Sequence, residues 1–278
     1  MRWFFLFFMA MSFAVSAHAE RVLDVPASSR WQHARSGVIL PARIGGYARR
    51  GIVEYIPGEV DMGIHYEDAD TRLSIFLFRP QQTDVGVWFD RVEQQMSSNP
   101  NLVDLTPTAP TAVAFAAFGS SNAIALRRSY SSTGAWKATS AAVIPVGRWL
   151  VSVRASSSTL SVTEIDTLMD VAIASIQTSG SHPASPAARI VPPCSTPRTW
   201  RNARTVPPSI LEAILASSGV ALVPDPNNAA DSEPLGLALP DICRDATTLT
   251  NASVYRSDSN NGFYWIALGD SGTFATVS

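Results

Sequence analysis

Lysine is almost missing from this chain: Lys137 is the only one in 278 residues, and Asp, Glu, Lys and Arg together supply 16%. A net charge of −2, or −3 once Arg2 is discounted, leaves no basic stripe for nucleic acid or an anionic membrane surface. Histidine is scarce too. His33, His65 and His182 are the three beyond residue 19, none at His-x-x-x-His spacing, so no metal site is supported. The two cysteines, Cys194 and Cys243, lack the Cys-x-x-Cys spacing of a thiol redox pair. No glycine-rich loop follows a strand and opens a helix, which removes most nucleotide-dependent enzymes, and no cofactor is implied.

Long apolar runs are also absent, save one at the N-terminus. Met1-Arg2, the thirteen-residue stretch Trp3–Val15 and Ser16-Ala17-His18-Ala19 form the basic, apolar and small-residue parts of a secretion signal. A membrane-spanning helix needs about 20 apolar residues, so the run is too short to remain as an anchor. Cleavage is expected between Ala19 and Glu20, and no cysteine near the cut could take a lipid. The expected product has 259 residues, is periplasmic or secreted, and has no stable membrane span. In such an oxidising compartment Cys194 and Cys243 are expected to bond, 49 positions apart.

What is present is an alternation of strands and helices. Gly51–Ile56 precedes a Pro57-Gly58 turn, after which Val60, Met62, Ile64 and Tyr66 alternate with Asp61, Gly63 and His65, the pattern of a half-buried strand. The acidic turn 67–70 leads into the central-strand run Leu73–Phe78. Val85, Trp88, Phe89, Val92 and Met96 share one helical face, with Thr83 as the expected cap and Asn99-Pro100 closing the segment. Strand-like runs follow at 112–118, 123–130, 135–144 and 149–155, the last two joined by a hairpin. Ile165, Leu168, Met169, Ala172, Ile173 and Ile176 give a second helix, started by the capping-box pair Ser161 and Glu164.

This order predicts an α+β fold: a mainly antiparallel sheet packed with helices, α-β-α sandwich-like, over residues 20–178. Residues 179–198, rich in Pro, Ser and Ala, read as a linker with Cys194 at its far end. Residues 199–278 read as a small C-terminal α+β module. It would hold a helix at 210–216, capped by Ser209 and Glu212, and a hairpin around Asn260-Asn261-Gly262.

The stretch Leu40-Pro41, Ile44-Gly45-Gly46-Tyr47, Arg49, then Tyr55, Tyr66 and an apolar strand resembles the opening of a set of exported bacterial proteins with a PsbP-like α-β-α sandwich. The resemblance covers about residues 40–177. It implies an accessory or binding role, and it carries no catalytic residue across.

Three segments invite a chemical reading. Gly269-Asp270-Ser271-Gly272 is similar to the nucleophile signature of chymotrypsin-like proteases. However, the histidine segment is missing, Thr273 stands where a glycine belongs, and six residues cannot complete a barrel, so a tight turn is expected. Asp258-Ser259-Asn260-Asn261-Gly262 starts like a calcium loop, but its twelfth position is Gly269, not a carboxylate. His65 near Glu67, Asp68 and Asp70 could hold an ion or form an acid–base cluster, though acidic turns are usually just solvated. Among the tryptophans, Trp88 belongs to the core by its helix position. Trp136, Trp149 and Trp265 fit core or cleft, and Trp31 and Trp200 are the binding candidates. The resulting expectation is an exported non-catalytic protein that binds an envelope partner. The alternatives are a hydrolase using His65 or Ser271, and a carrier of an apolar small molecule.

Overall fold

A computed structural model describes residues 20–180, 182–196, 241–249, 251–259, 264–270 and 272–277. The signal segment, the helix expected at 210–216, Trp200 and Ser271 lie outside them. Four short strands come first: β1 (Arg21–Val22), β2 (Trp31–Gln32), β3 (Val38–Leu40) and β4 (Arg43–Ile44). Three long ones follow, β5 (Tyr47–Ile56), β6 (Asp61–Glu67) and β7 (Thr71–Phe78), then helix α1 (Val85–Ser97). Next come β8 (Thr106–Pro107), β9 (Val113–Phe115), β10 (Ala125–Ser131), β11 (Ala138–Val146) and β12 (Trp149–Ser157). Helix α2 (Val162–Ser175) and β13 (Gln177–Thr178) precede the last four strands. These are β14 (Ile242–Leu249), β15 (Ala252–Ser257), β16 (Tyr264–Leu268) and β17 (Thr273–Val277).

The fold is α+β and mostly antiparallel sheet, with two helices among the described residues. The main sheet runs β1-β5-β6-β7-β12-β11-β10-β8, with β4 on β5 and β9 on β10. Two meanders, β5-β6-β7 and β10-β11-β12, thus meet along the β7–β12 pair. Smaller sheets are β13-β3-β2 and β14-β15-β16-β17.

Side chains of β11 alternate between two cores. Ala142 and Ile144 pack with Ile165, Leu168 and Met169 of α2. Ala141 and Val143 pack with Trp88, Phe89 and Val92 of α1. Both helices form as their spacing dictates, and Ser161 and Glu164 bond each other's backbone as a capping box. The cap of α1 is Asp84 rather than Thr83: its backbone is extended and its carboxylate accepts from the N–H groups of Gly86 (2.8 Å) and Val87 (3.2 Å).

Two more expectations change, and the course of the Pro-rich segment is defined over its described residues. The first half of strand β6 is covered on both faces, because the Tyr55 ring folds over Gly63, where a Cβ would stand only 2.7 Å from the ring; His65 and Glu67 beyond it stay half-buried. The run at 112–118 shortens to β9, since Phe118 and Gly119 adopt positive φ and turn the chain away. The Pro-rich segment is held against the fold as an extended strap. Ala188 N–H donates to Ala123, Val191 is buried, and the Arg189 carbonyl passes so close to α1 that a Cβ on Gly86 would meet it at 2.2 Å. At its end Pro192 and Cys194 exchange backbone hydrogen bonds with Arg244.

The four-stranded sheet packs on α1 through polar and apolar contacts together. Trp88 meets Phe274 edge-on at 5.0 Å. Tyr255 donates its hydroxyl to Asp90 at 2.6 Å, Arg244 pairs with the same carboxylate, and Arg91 donates to the Gly269 carbonyl at 2.7 Å. Strands β15 and β16 flank the expected Asn260–Gly262 hairpin in antiparallel register, and the turn itself lies outside the described residues. No helix among the described residues is long and apolar enough to cross a membrane.

Candidate functional site

Helix α1 covers the β10–β11 part of its face of the sheet, and the β5–β7 part is left open beside it. Sheet register puts side chains from four strands into rows there. Gly51, His65, Ser74 and Arg154 stand in one row across β5, β6, β7 and β12. Val53, Gly63, Phe76 and Ser152 form the next, and Glu67, Arg72 and Ser156 the one on the other side. Gly51 leaves room above the backbone, while the Tyr55 ring fills the space over Gly63. The result is a cleft of about 570 Å³, walled at one end by Asn99 and Trp136.

Phe76 is the centre of its floor. Tyr55 stacks on it at 6.5 Å, His65 meets it edge-on at 5.9 Å, and the Arg154 guanidinium lies 4.8 Å from its ring centroid. Arg154 also pairs with Asp270 at 2.7 Å. His65 bonds two hydroxyls, Ser74 Oγ at 3.0 Å and Tyr55 Oη at 3.3 Å. Burial, assisted by Arg72, lowers its pKa below the ordinary histidine value, so it is neutral at pH 7. At the rim, Arg72 pairs with Glu67 at 3.1 Å and Arg50 donates to the Glu67 carbonyl at 3.2 Å.

The acidic turn does not join His65. Asp68 is spent on the backbone of its own turn, accepting from Asp70 (3.0 Å) and Thr71 (2.8 Å), and Glu67 faces Arg72. Among the described residues no carboxylate hydrogen-bonds to His65; Glu67 acts on it only through space. Gly269 and Gly272 have positive φ, as a tight turn requires, and that turn carries Asp270 to Arg154. Asp258 accepts from Ser195 N–H and faces Arg256. Its carboxylate lies near the sulfurs of Cys194 and Cys243, but these two residues form a disulfide, Cα atoms 4.9 Å apart, so the sulfurs offer no ligand to a metal.

Trp31, expected as a binding residue, is a core residue. It is buried beside His33 (5.7 Å), which in turn meets the edge of Trp149 (4.5 Å). The pairing of β2 with β3 folds it inward. His33 is fully buried; it accepts from Ser36 N–H at Nδ1 (3.0 Å), so Nε2 carries the proton and donates to the Glu59 carbonyl at 2.8 Å. Trp265 is buried and Trp136 half-buried at the cleft. Glu20, expected to follow the cut, is exposed.

No protein-family model matches the chain, and no curated protein matches it in sequence. Similar solved structures include cyanobacterial PsbP (CyanoP) from Synechocystis sp. PCC 6803, at 15% identity over 54% of this chain and 91% of that one, TM-score 0.35. Another is LpqN, involved in cell envelope biogenesis of Mycobacterium tuberculosis, at 14% identity over 54% and 88%, TM-score 0.29. The weak PsbP-like resemblance of the sequence thus recurs among structures, at a level from which no activity follows.

Proposed function

We propose that the protein is an exported, non-catalytic binding module of the cell envelope, which engages its partner through the cleft on the open sheet face. Export rests on the leader pattern of Met1–Ala19, cut before Glu20, and agrees with the paired Cys194 and Cys243. In this reading residues 20–178 are an α-β-α sandwich, 179–198 a connecting segment, and 199–278 a C-terminal module.

The observation that carries the binding role is the aromatic floor ringed by arginines. A concave site with apolar rings and a few converging polar groups is built to hold something. A hydrolase fits less well. His65 touches hydroxyls rather than a carboxylate, and Ser74 lies mid-strand between β6 and β12, where the ladder occupies the backbone N–H groups an oxyanion would need.

The test is a photo-reactive amino acid at Ser156 in the chain expressed in its own cells, followed by fractionation and mass spectrometry. The expected result is a reproducible envelope component crosslinked at that position and absent when the probe replaces exposed Thr163. Recovery of the protein in the cytoplasm, or equal labelling from both positions, would end the proposal.

A further inference from the structure

The charges around the cleft do not cancel. Arg50, Arg72 and Arg154 face Glu67 and Asp270, so one positive charge is left over. Arg154 is fully committed, lying over Phe76 and holding Asp270. The two rim arginines are not. Each uses its Nε on Glu67, one on the carboxylate and one on the carbonyl, and their Nη ends have no partner among the described residues. Two guanidinium forks thus converge at one edge of an aromatic floor. Such forks match the two oxygens of a carboxylate. Trp136 adds a second ring wall, and its indole N–H has no acceptor among the described residues. His65 offers an anion no free N–H, because hydroxyl partners occupy both of its nitrogens.

Resting on the binding role proposed above, we infer that the cleft takes a small organic anion in which a single carboxylate is borne on an apolar ring. The carboxylate docks on Arg50 and Arg72, and the ring lies between Phe76 and Trp136. One surplus positive charge matches a singly charged carboxylate better than a doubly charged phosphate monoester. The volume of about 570 Å³ suits a ligand of one or two rings.

The experiment titrates the full chain with 1-naphthoate, following tryptophan fluorescence and calorimetry, beside 1-naphthalenemethanol, 1-naphthyl phosphate and acetate. Naphthoate is expected to saturate. The neutral alcohol and the ringless acetate should each bind at least about tenfold more weakly, the loss of one charged contact or of the ring. The double variant Arg50→Gln/Arg72→Gln should weaken naphthoate about tenfold at unchanged melting temperature, since both side chains are exposed. Trp136→Leu should weaken naphthoate and the alcohol alike. Equal binding of alcohol and naphthoate, tighter binding of the phosphate, or no effect of the arginine variant would overturn the inference. Capture of an envelope component at Ser156 without naphthoate binding removes the ligand class and leaves the binding role. Naphthoate binding without capture does the reverse.

Discussion

At the residue scale the buried His33 and the half-buried His65 make the fold sensitive to acid. Burial holds His33 below the ordinary histidine pKa, against the pull of the Glu59 carbonyl and carboxylate, and burial does the same at His65. Protonation would also turn His33 Nδ1 from an acceptor into a donor facing the Ser36 N–H. The unfolded chain therefore takes up protons first, from about pH 6.5 downward. Stability is complete above that value, falls as pH drops toward the folded-state values, and levels off below them. The slope within that window has a ceiling of about 1.4 kcal/mol per pH unit for each histidine. Urea midpoints measured across it should show the fall, and His33→Gln should flatten the His33 share. A midpoint independent of pH in the wild-type chain would contradict this account. Tyr66 fits the same logic at alkaline pH: it donates to the Pro41 carbonyl (2.8 Å) from a buried site, and burial pushes its pKa up.

At the element scale, the two elements packed against α1 give the sharpest expectations. Gly86 in the first turn of α1 faces the Arg189 carbonyl of the strap, and backbone on both sides leaves nothing that can yield easily. Gly86→Ala is expected to cost about 1–3 kcal/mol, as overpacking does, and to expose residues 182–196 to protease before global unfolding. An unchanged urea midpoint and digestion pattern would rule that out. One turn further along the helix, Asp90 is buried under Tyr255 and Arg244. Tyr255→Phe removes one hydrogen bond and should cost about 1–2 kcal/mol. Asp90→Ala strands both partners and should cost about 3 kcal/mol, the low end for a broken buried pair because the Arg244 side chain is 38% exposed and can turn to water. Equal losses for the two variants, by chemical denaturation, would mean the carboxylate is not the centre of that contact.

Periodicity made these elements legible from the sequence. The helical spacing of Val85 to Met96 and of Ile165 to Ile176, and the alternation through Val60 to Tyr66, correspond to α1, α2 and β6. Local chemistry located caps to within one residue, Asp84 displacing Thr83 because its carboxylate reaches two free N–H groups. The cleft was not legible in the same way. His65, Ser74 and Arg154 come from three strands and share a row only through the register of two strand pairs, which no single segment encodes. Trp31 misled for the same reason, since burial between His33 and the β2–β3 pair is a tertiary fact. One clue to the cleft was available: Gly51, a residue with no side chain, sits in the middle of a strand-like run and faces His65.

At the scale of the whole molecule, one covalent link joins distant parts of the chain. The strap ends at Cys194 and β14 begins beside Cys243, and the backbone exchange between Pro192, Cys194 and Arg244 already brings them together without the bond. The disulfide therefore acts mainly on the unfolded chain, by closing a loop across 49 positions. Loop-closure entropy for that separation is worth about 4 kcal/mol at most. Cys194→Ser/Cys243→Ser, or reduction of the wild type, should lower urea stability toward that amount and raise the m-value, because the unlinked unfolded chain exposes more surface. The cleft residues lie on β1, β5, β6, β7 and β12 and in the loops that carry Asn99 and Trp136, outside the strap and β14, so naphthoate should bind the reduced protein as it binds the oxidised one. Identical urea curves with and without reductant would show that the bond contributes nothing to stability. Loss of naphthoate binding on reduction would show instead that the C-terminal sheet, through Asp270 on Arg154, must be docked for the cleft to exist.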